Sequence, residues 1–175
     1  RNIRIISSVW NDVIDSDAAD LDIRYGTGNW PGMTSHRLTR ERLVPLCAPG
    51  LLRQLATPED LRHQNLLHVL GYQEGWGIWL NAAGARLVDP GQGVQLDTSL
   101  TALEVAAHGG GVALGRSSLV GGYRSGGRLV APFELEVPVE EAFHVLRPTG
   151  GIPHPEAERF TSWLLSAREV DRGGA

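Results

Sequence analysis

The strongest candidate for ligand chemistry is a glycine-rich loop that begins at Tyr25 and runs to Trp30. It follows residues 21–25, whose apolar and aromatic composition predicts a strand. Gly26 allows backbone N–H groups to turn toward a bound group, and Thr27 lies beside it. Ligands of open α/β sheets bind beside the loops that follow strand ends. The loop is therefore predicted to contact a ligand, and the alternative is an ordinary strand exit with a structural tryptophan.

Two further segments carry polar side chains at positions that suit a ligand. Asp97, Thr98 and Ser99 lie at a junction between a strand and a helix, where hydroxyls either cap the helix or bind a ligand. The free N–H groups of such a helix start favour a carboxylate or a phosphate. His144 lies in the predicted strand 142–146 and points to the face opposite its apolar neighbours. It is either a ligand contact or a hydrogen-bonded structural histidine.

Catalytic and metal-binding motifs are missing from the sequence. The six histidines form neither a His-x-x-x-His pair nor a His-Glu-x-x-His motif, so no metal site is expected. There is no Gly-x-Ser-x-Gly nucleophile elbow, and the apolar flanks of Cys47 favour a buried, inert thiol. A chain without lysine has no Walker motif for phosphate. We predict that the protein is not an enzyme and uses no cofactor.

Composition restricts the partners that the chain can have. Hydrophobic residues make up 42% of its 175 residues, enough for a core in one domain or two small lobes. The net charge is −4 and the sixteen basic residues, all arginine, form no basic run, which argues against a nucleic-acid surface. No apolar stretch reaches membrane-spanning length, and no signal peptide is present. We expect a fragment or processed product, because the chain begins at Arg1, with a cytoplasmic location and no membrane partner.

Strands and helices are predicted to alternate along the chain, which favours an α/β fold with mainly parallel sheets. Helical spacing of apolar residues and glycine stops define the helices, and apolar runs define the strands. The predicted strands are 2–9, 21–25, 43–47, 66–70, 94–96, 111–115, 128–132 and 142–146. The predicted helical segments are 12–18, 49–55, one beginning at Pro58 after the N-cap Thr57, 76–83, 98–108, 117–123 and 155–168.

Five segments occur in the order and spacing of one known family. The most specific contains the motif Arg-Tyr-Gly-x-Gly-x-Trp-Pro-Gly. Together the segments resemble the effector-binding domain of LysR-type transcriptional regulators, in particular the branch that controls glycine cleavage and inducible β-lactamase. The resemblance covers residues 1 to about 168. The segments are residues 20–33, 42–52, 76–84, 106–115 and 127–133.

The resemblance implies a fold like that of type 2 periplasmic binding proteins. Two Rossmann-like lobes would be joined by two crossover strands, near residues 40–47 and 142–147. Lobe I would hold residues 1–42 and 143–170, without the first strand and helix that the family places before Arg1. Lobe II would hold residues 43–142. The last residues, 171–175, are expected to be frayed.

The resemblance also implies a function. A small-molecule effector, a metabolite, would bind in the cleft between the lobes and alter DNA binding by a helix-turn-helix that this chain lacks. DNA contact would thus occur only through the missing N-terminal domain. A solute-binding protein of a transport system shares the fold and is the alternative, although the missing signal peptide counts against it. The predicted cleft residues are Tyr25, Gly26, Thr27, Asp97, Thr98, Ser99 and His144.

Assembly into a homodimer or homotetramer is expected on two grounds. The predicted strand 2–9 places Ile3, Ile5 and Val9 on one face and Ile6 on the other, so that it exposes apolar surface and pairing groups. Effector domains of the resembled family pair side by side. We therefore expect this strand and its neighbouring helix near the interface.

Overall fold

The computed structural model of the chain describes residues 4–7, 19–150 and 154–170. The predicted helix 12–18 and the tail 171–175 lie outside these residues. Residues 4–7, the described part of the predicted strand 2–9, form neither helix nor strand. A strand needs a hydrogen-bonded neighbour, and none of the described strands pairs with these residues.

Eight strands and four α-helices form in the described residues. The strands are β1 (Asp22–Gly26), β2 (Met33–Arg37), β3 (Arg42–Leu46), β4 (Leu66–Val69), β5 (Val94–Leu96), β6 (Val112–Arg116), β7 (Val137–Pro138) and β8 (Ala142–Pro148). The helices are α1 (Trp76–Ala83), α2 (Ser99–Ala107), α3 (Gly121–Ser125) and α4 (Pro155–Val170). Two 3-10 helices, Pro49–Gln54 and Pro58–His63, precede β4.

The strands form two sheets, of order β1-β8-β2 and β5-β4-β6-β3-β7. Only β4 makes parallel pairs, with β5 and β6, and the other pairs in both sheets are antiparallel. The expectation of mainly parallel sheets is therefore wrong. Parallel neighbours usually need a helix that crosses over the sheet between them. The chain instead enters β3 and β8 directly from the other sheet, so these strands are free to pair antiparallel.

Some predicted elements differ from the observed ones, and strands β2 and β7 were not predicted. Residues 128–132, predicted as a strand, make a single bridge between Val130 and Cys47. The helix predicted at 117–123 forms later, as α3. Strand β2 was not predicted, because its Met-Thr-Ser-His-Arg composition lacks the apolar alternation of a strand. Pairing with β8 supplies its hydrogen bonds instead.

The second sheet is buried on both faces. Consecutive residues of its strands enter opposite clusters, as Leu43 and Val44 do in β3. Helix α1 and the two 3-10 helices cover one face, and Trp79 is fully buried there. Helix α2 covers the other face with Ala102, Leu103 and Ala106. Burial on both faces makes this sheet a rigid support for residues at its strand ends.

Two short connections join the sheets. The chain leaves the first sheet through residues 38–41, the outgoing connection, and returns through residues 139–141, the return connection. They run side by side, because the backbone N–H of Val139 donates to the carbonyl of Glu41 at 3.2 Å. The outgoing connection overlaps the start of the expected crossover 40–47, and the return connection lies just before the expected crossover 142–147. None of the described helices is long and apolar enough to cross a membrane.

Candidate functional site

Aromatic and polar side chains from both sheets meet where strands end. Tyr25 in β1 contacts Tyr72, which follows β4, with ring centroids 4.5 Å apart. Tyr25 also contacts Phe143 of β8, at 4.9 Å. Arg116, the last residue of β6, and Ser99, the first residue of α2, complete the group. We call Tyr25, Tyr72, Ser99 and Arg116 the inter-sheet cluster, because it connects the first sheet to the second.

Arg116 is the centre of this cluster and is only 2% exposed. Its Nε donates to the Tyr25 hydroxyl at 2.6 Å, and its Nη2 donates to the backbone carbonyl of Glu74. The guanidinium carbon lies 4.3 Å from the centre of the Tyr72 ring and 5.3 Å from that of Tyr25. Glu141 provides a nearby negative charge, with Oε2 3.9 Å from Nη2. Cation–π contact, hydrogen bonds and this carboxylate together offset the cost of burying the guanidinium.

Both tyrosine hydroxyls of the cluster stay protonated at neutral pH. Burial raises the pKa of Tyr25, and the adjacent Arg116 opposes this shift only in part. Burial also raises the pKa of Tyr72, whose hydroxyl lies 2.5 Å from the Ser99 Oγ. Because the Tyr25 oxygen accepts from Arg116, its proton remains available for donation. The cluster therefore presents neutral hydroxyls beside a buried cation.

The start of α2 combines capping with a position next to the cluster. The Thr98 hydroxyl oxygen accepts from the backbone N–H of Thr101 at 3.1 Å, so the capping role expected as an alternative is present. Asp97 is exposed and its Oδ1 accepts from the Thr101 hydroxyl at 3.3 Å. Ser99, a member of the cluster, contacts Tyr72 through its hydroxyl. The segment 97–99 is thus tied to Tyr25 by way of Tyr72 and not directly.

His144 lies apart from the cluster, on the other face of the first sheet. In the pairing of β1 with β8, His144 is opposite Arg24, whereas Tyr25 is opposite Phe143. The residue is 3% exposed, and its ring Nδ1 donates to the carbonyl of Ala142 at 2.9 Å. Burial lowers the pKa of His144, which keeps it neutral. This position matches the structural alternative for that residue.

The loop between β1 and β2 explains the burial of His144. Strands β1 and β2 lie on either side of β8. Because β1 ends opposite Ala142, at one end of β8, and β2 begins opposite Pro148, at the other end, the loop between them crosses β8 along its length. A Cβ on Gly28 would lie 2.9 Å from His144 Nε2, and the Trp30 ring centre lies 5.4 Å from that of His144. Gly26 lies under the same Trp30 ring and Thr27 is exposed. The residues of this loop therefore cover β8 as well as bordering Tyr25.

Replacing Gly28 by alanine is expected to lower the free energy of unfolding by about 2 to 3 kcal/mol. The residue has φ +99°, which costs an L-residue about 1 to 2 kcal/mol, and the new methyl group meets the His144 ring. Gly32→Ala is the matched control, because Gly32 has φ +74° and no atom within 4 Å of an added Cβ. Urea denaturation measures both. Equal losses in the two variants would contradict the contact between Gly28 and His144.

Tyr72 and Arg116 are cluster residues that the sequence analysis did not select. Tyr72 and Arg116 each follow a predicted strand and Tyr25 ends one, so the rule that ligands bind at strand ends applies to all three. A charged residue closing the apolar strand 111–115 was the available signal for Arg116. No group of three or more histidine, cysteine, aspartate or glutamate residues within the described ranges could hold a metal ion.

Comparison with known proteins gives one family. The model of the LysR substrate binding domain matches residues 2–169. The glycine cleavage system transcriptional activator of Escherichia coli K12 is 33% identical over 160 residues, which are 90% of this chain and 52% of that protein. The transcriptional activator AmpR of Rhodobacter capsulatus is 35% identical over 148 residues, which are 85% of this chain and 50% of that protein. The chain thus spans about half the length of the curated relatives it matches.

Solved structures agree with the sequence relatives. The effector domain of AmpR of Pseudomonas aeruginosa superposes with a TM-score of 0.87 at 29% identity, covering 97% of this chain and 83% of that one. The AmpR effector-binding domain of Citrobacter freundii gives a TM-score of 0.82 at 28% identity, covering 91% and 80%. These proteins are transcriptional regulators and not enzymes, and the predicted periplasmic-binding-protein-like α/β fold is confirmed. This chain belongs to the LysR substrate-binding domain family.

Proposed function

We propose that this domain binds a small-molecule effector between its two sheets, beside the inter-sheet cluster. The observation that carries the proposal is the bridge from Tyr25 through Arg116 and Tyr72 to Ser99, which joins both sheets by side chains. A ligand beside this bridge contacts both sheets at once, so its binding free energy depends on their relative placement. Such a ligand can therefore select one arrangement of the domain.

The proposed effector is a polar metabolite with a hydrogen-bonding group and an anionic group. Protonated hydroxyls of Tyr25 and Tyr72 suit the first, and the start of α2 beside Ser99 suits the second. Of the residues predicted from the sequence, Tyr25, Thr27, Asp97, Thr98 and Ser99 remain in the proposed site. Gly26 and His144 both lie against Trp30, and His144 is on the face of the first sheet opposite Tyr25, so neither is placed in direct contact with the effector.

Control of DNA binding, through a helix-turn-helix domain in the whole protein, is the proposed output of effector binding. The proposed lobes are residues 1–42 with 143–170, and residues 43–142, because the sheets meet at the two connections. We also propose a homodimer or homotetramer in the cytoplasm. Exposed apolar side chains at Ile5 and Ile6, and the stacked pair Phe160 and Trp163 on α4, support the assembly.

Thermal unfolding in a panel of metabolites tests effector binding. Glycine belongs in the panel because a 33% identical relative activates the glycine cleavage system; amino acids, short peptides and sugar phosphates complete it. A ligand at 100 times its Kd is expected to add about 2.7 kcal/mol to the free energy of unfolding. If Tyr72→Phe and Ser99→Ala leave the affinity of every stabilising compound unchanged, the proposed site is wrong.

Replacing Thr98 by valine is expected to weaken the binding of any compound that stabilises the domain in this panel by fivefold to tenfold. The substitution removes a hydroxyl from the site and keeps the size of the side chain. The change corresponds to about 1 kcal/mol, one hydrogen bond. Loss of the cap also costs about 1 kcal/mol of stability, so Thr57→Val is the control. Thr57 starts a 3-10 helix away from the cluster, where its N–H and hydroxyl donate to Asp60. Isothermal titration of both variants gives the comparison, and an equal affinity for both would count against the site.

A further inference from the structure

Two glutamates bind each other's backbone across the boundary between the sheets. The carboxylate of Glu141 accepts from the N–H groups of Gln73 and Glu74, at 3.2 and 3.0 Å. The carboxylate of Glu74 accepts from the N–H groups of Glu140 and Glu141, at 3.2 and 2.6 Å. Four charge-assisted hydrogen bonds therefore fasten residues 73–74 to residues 140–141, each side chain capping the segment that carries the other.

The two fastened segments have different roles in the fold. Residues 140–141 belong to the return connection, which leads directly into β8 of the first sheet. Residues 73–74 follow Tyr72 of the inter-sheet cluster. Arg116 joins both segments, because its Nη2 donates to the Glu74 carbonyl and lies 3.9 Å from the Glu141 carboxylate. Hydrogen bonds thus link the return connection to the segment that follows Tyr72 and, through Arg116, to Tyr25.

The outgoing connection carries a second buried glutamate with the same kind of contact. Glu41 is 2% exposed, as Glu141 is. Its carboxylate accepts from the backbone N–H of Ser118 at 3.1 Å and from the hydroxyls of Ser117 and Ser118. Each connection between the sheets therefore ends in a buried carboxylate that accepts hydrogen bonds from a segment of the second sheet. Glu41 holds the segment that follows β6, and Glu141 holds the segment that follows β4. A buried carboxylate needs such partners, since an unpaired one is costly.

We propose that Glu74 and Glu141 are positioning residues: their reciprocal hydrogen bonds lock the segment that carries Tyr72 to the return connection, and this lock sets the geometry of the inter-sheet cluster. The inference rests on the proposed function in one respect, that the inter-sheet cluster borders the effector site. The lock itself is a property of the domain without a ligand. Its prediction is that weakening one carboxylate loosens both segments and exposes both tyrosines.

Glu141→Gln tests the lock by amide hydrogen exchange of the whole chain. One carboxylate oxygen becomes an NH₂ donor that faces a backbone N–H, so at least one of the two bonds is lost. Exchange is expected to accelerate about tenfold at residues 73 and 74, and also at 140 and 141, because each segment holds the other. Glu74→Gln is expected to give the same pattern, which keeps the test valid if one variant folds poorly.

Glu59→Gln is the matched control for these variants. Glu59 also accepts from two consecutive backbone N–H groups, those of Arg86 and Leu87 at 3.0 and 3.2 Å, but it lies away from the sheet boundary. Its replacement is expected to accelerate exchange at residues 86 and 87 alone. If Glu141→Gln accelerates exchange only at residues 73 and 74, Glu141 is a local cap like Glu59 and the lock is disproved.

Tyrosine nitration by tetranitromethane supplies a readout that a local cap would not move. The chain has three tyrosines, and Tyr123 on α3 is the internal reference. Glu141→Gln and Glu74→Gln are expected to raise the nitration rates of Tyr25 and Tyr72 by at least fivefold over that of Tyr123, and Glu59→Gln is expected to leave all three rates unchanged. Unchanged rates at Tyr25 and Tyr72 would overturn the proposal. No effector is present in either measurement, so a failure of the proposed function leaves this result independent.

Discussion

Replacing Arg116 by methionine is expected to lower the free energy of unfolding by about 3 to 5 kcal/mol. The substitution leaves the buried carboxylate of Glu141 without its nearby cation, and removing one partner of a buried pair has a cost of this size. It also removes the donor to the Tyr25 hydroxyl and to the Glu74 carbonyl. Urea denaturation followed by circular dichroism measures the loss.

Arg42→Met is the control for this variant. Arg42 is also a strand-terminal arginine of the second sheet, but its side chain is 53% exposed and its ion pair with Glu136, at 3.5 Å, is at the surface. The control is expected to change stability by less than about 0.5 kcal/mol. In the double variant Arg116→Met with Glu141→Gln, part of the loss should be recovered, because no buried charge then remains unpaired. A loss below 1 kcal/mol in Arg116→Met would show that the guanidinium does not hold the cluster together.

Local signals in the sequence define most of the second sheet and its helices. Helix α1 has its predicted bounds because Gly84, with φ +70°, ends it in the left-handed conformation. Strand β5 also has its predicted bounds. These elements depend on short-range chemistry, a glycine stop or an apolar run between turns, which a single sequence contains.

Elements that depend on distant partners were not predictable in the same way. Strand β2 owes its conformation to hydrogen bonds with β8, more than 100 residues along the chain. The direction of β3 and β8 follows from their passage between the sheets and not from their composition. The family resemblance supplied the two-lobed arrangement, which composition and periodicity alone leave open.

The candidate site shows the same division. Tyr25 and Ser99 were selected because they lie where local elements end. The structure links them through Tyr72 and Arg116, whose roles depend on how the two sheets face each other. His144 was selected by its alternation in β8, but alternation does not reveal that the loop before β2 runs back over that face. Long-range placement, not residue type, decides which of these residues lie in the inter-sheet cluster and which lie outside it.

Replacing Trp79 by alanine is expected to lower the free energy of unfolding by about 3 to 5 kcal/mol, the cost of removing a large aromatic side chain from a packed core. Trp79 is fully buried in α1 and contacts Trp76 and Phe133, at centroid distances of 6.0 and 5.5 Å. Its indole N–H donates to the Leu135 carbonyl at 3.1 Å. The side chain thus ties α1 to the segment that leads to β7 and on to the return connection.

Trp163→Ala separates this effect from the general cost of losing a tryptophan. Trp163 on α4 is 59% exposed and stacks on Phe160, so its loss is expected to cost less than about 1 kcal/mol. Because Trp79 holds the segment before β7, its replacement should also accelerate amide exchange at residues 133–141, whereas Trp163→Ala should not. A stability loss in Trp79→Ala as small as that in Trp163→Ala would mean that the surrounding core closes the cavity left by Trp79 at no cost in free energy. Unchanged exchange at 133–141 would mean that the hydrogen bonds of Glu74 and Glu141 alone hold the return connection, without a contribution from the core around Trp79.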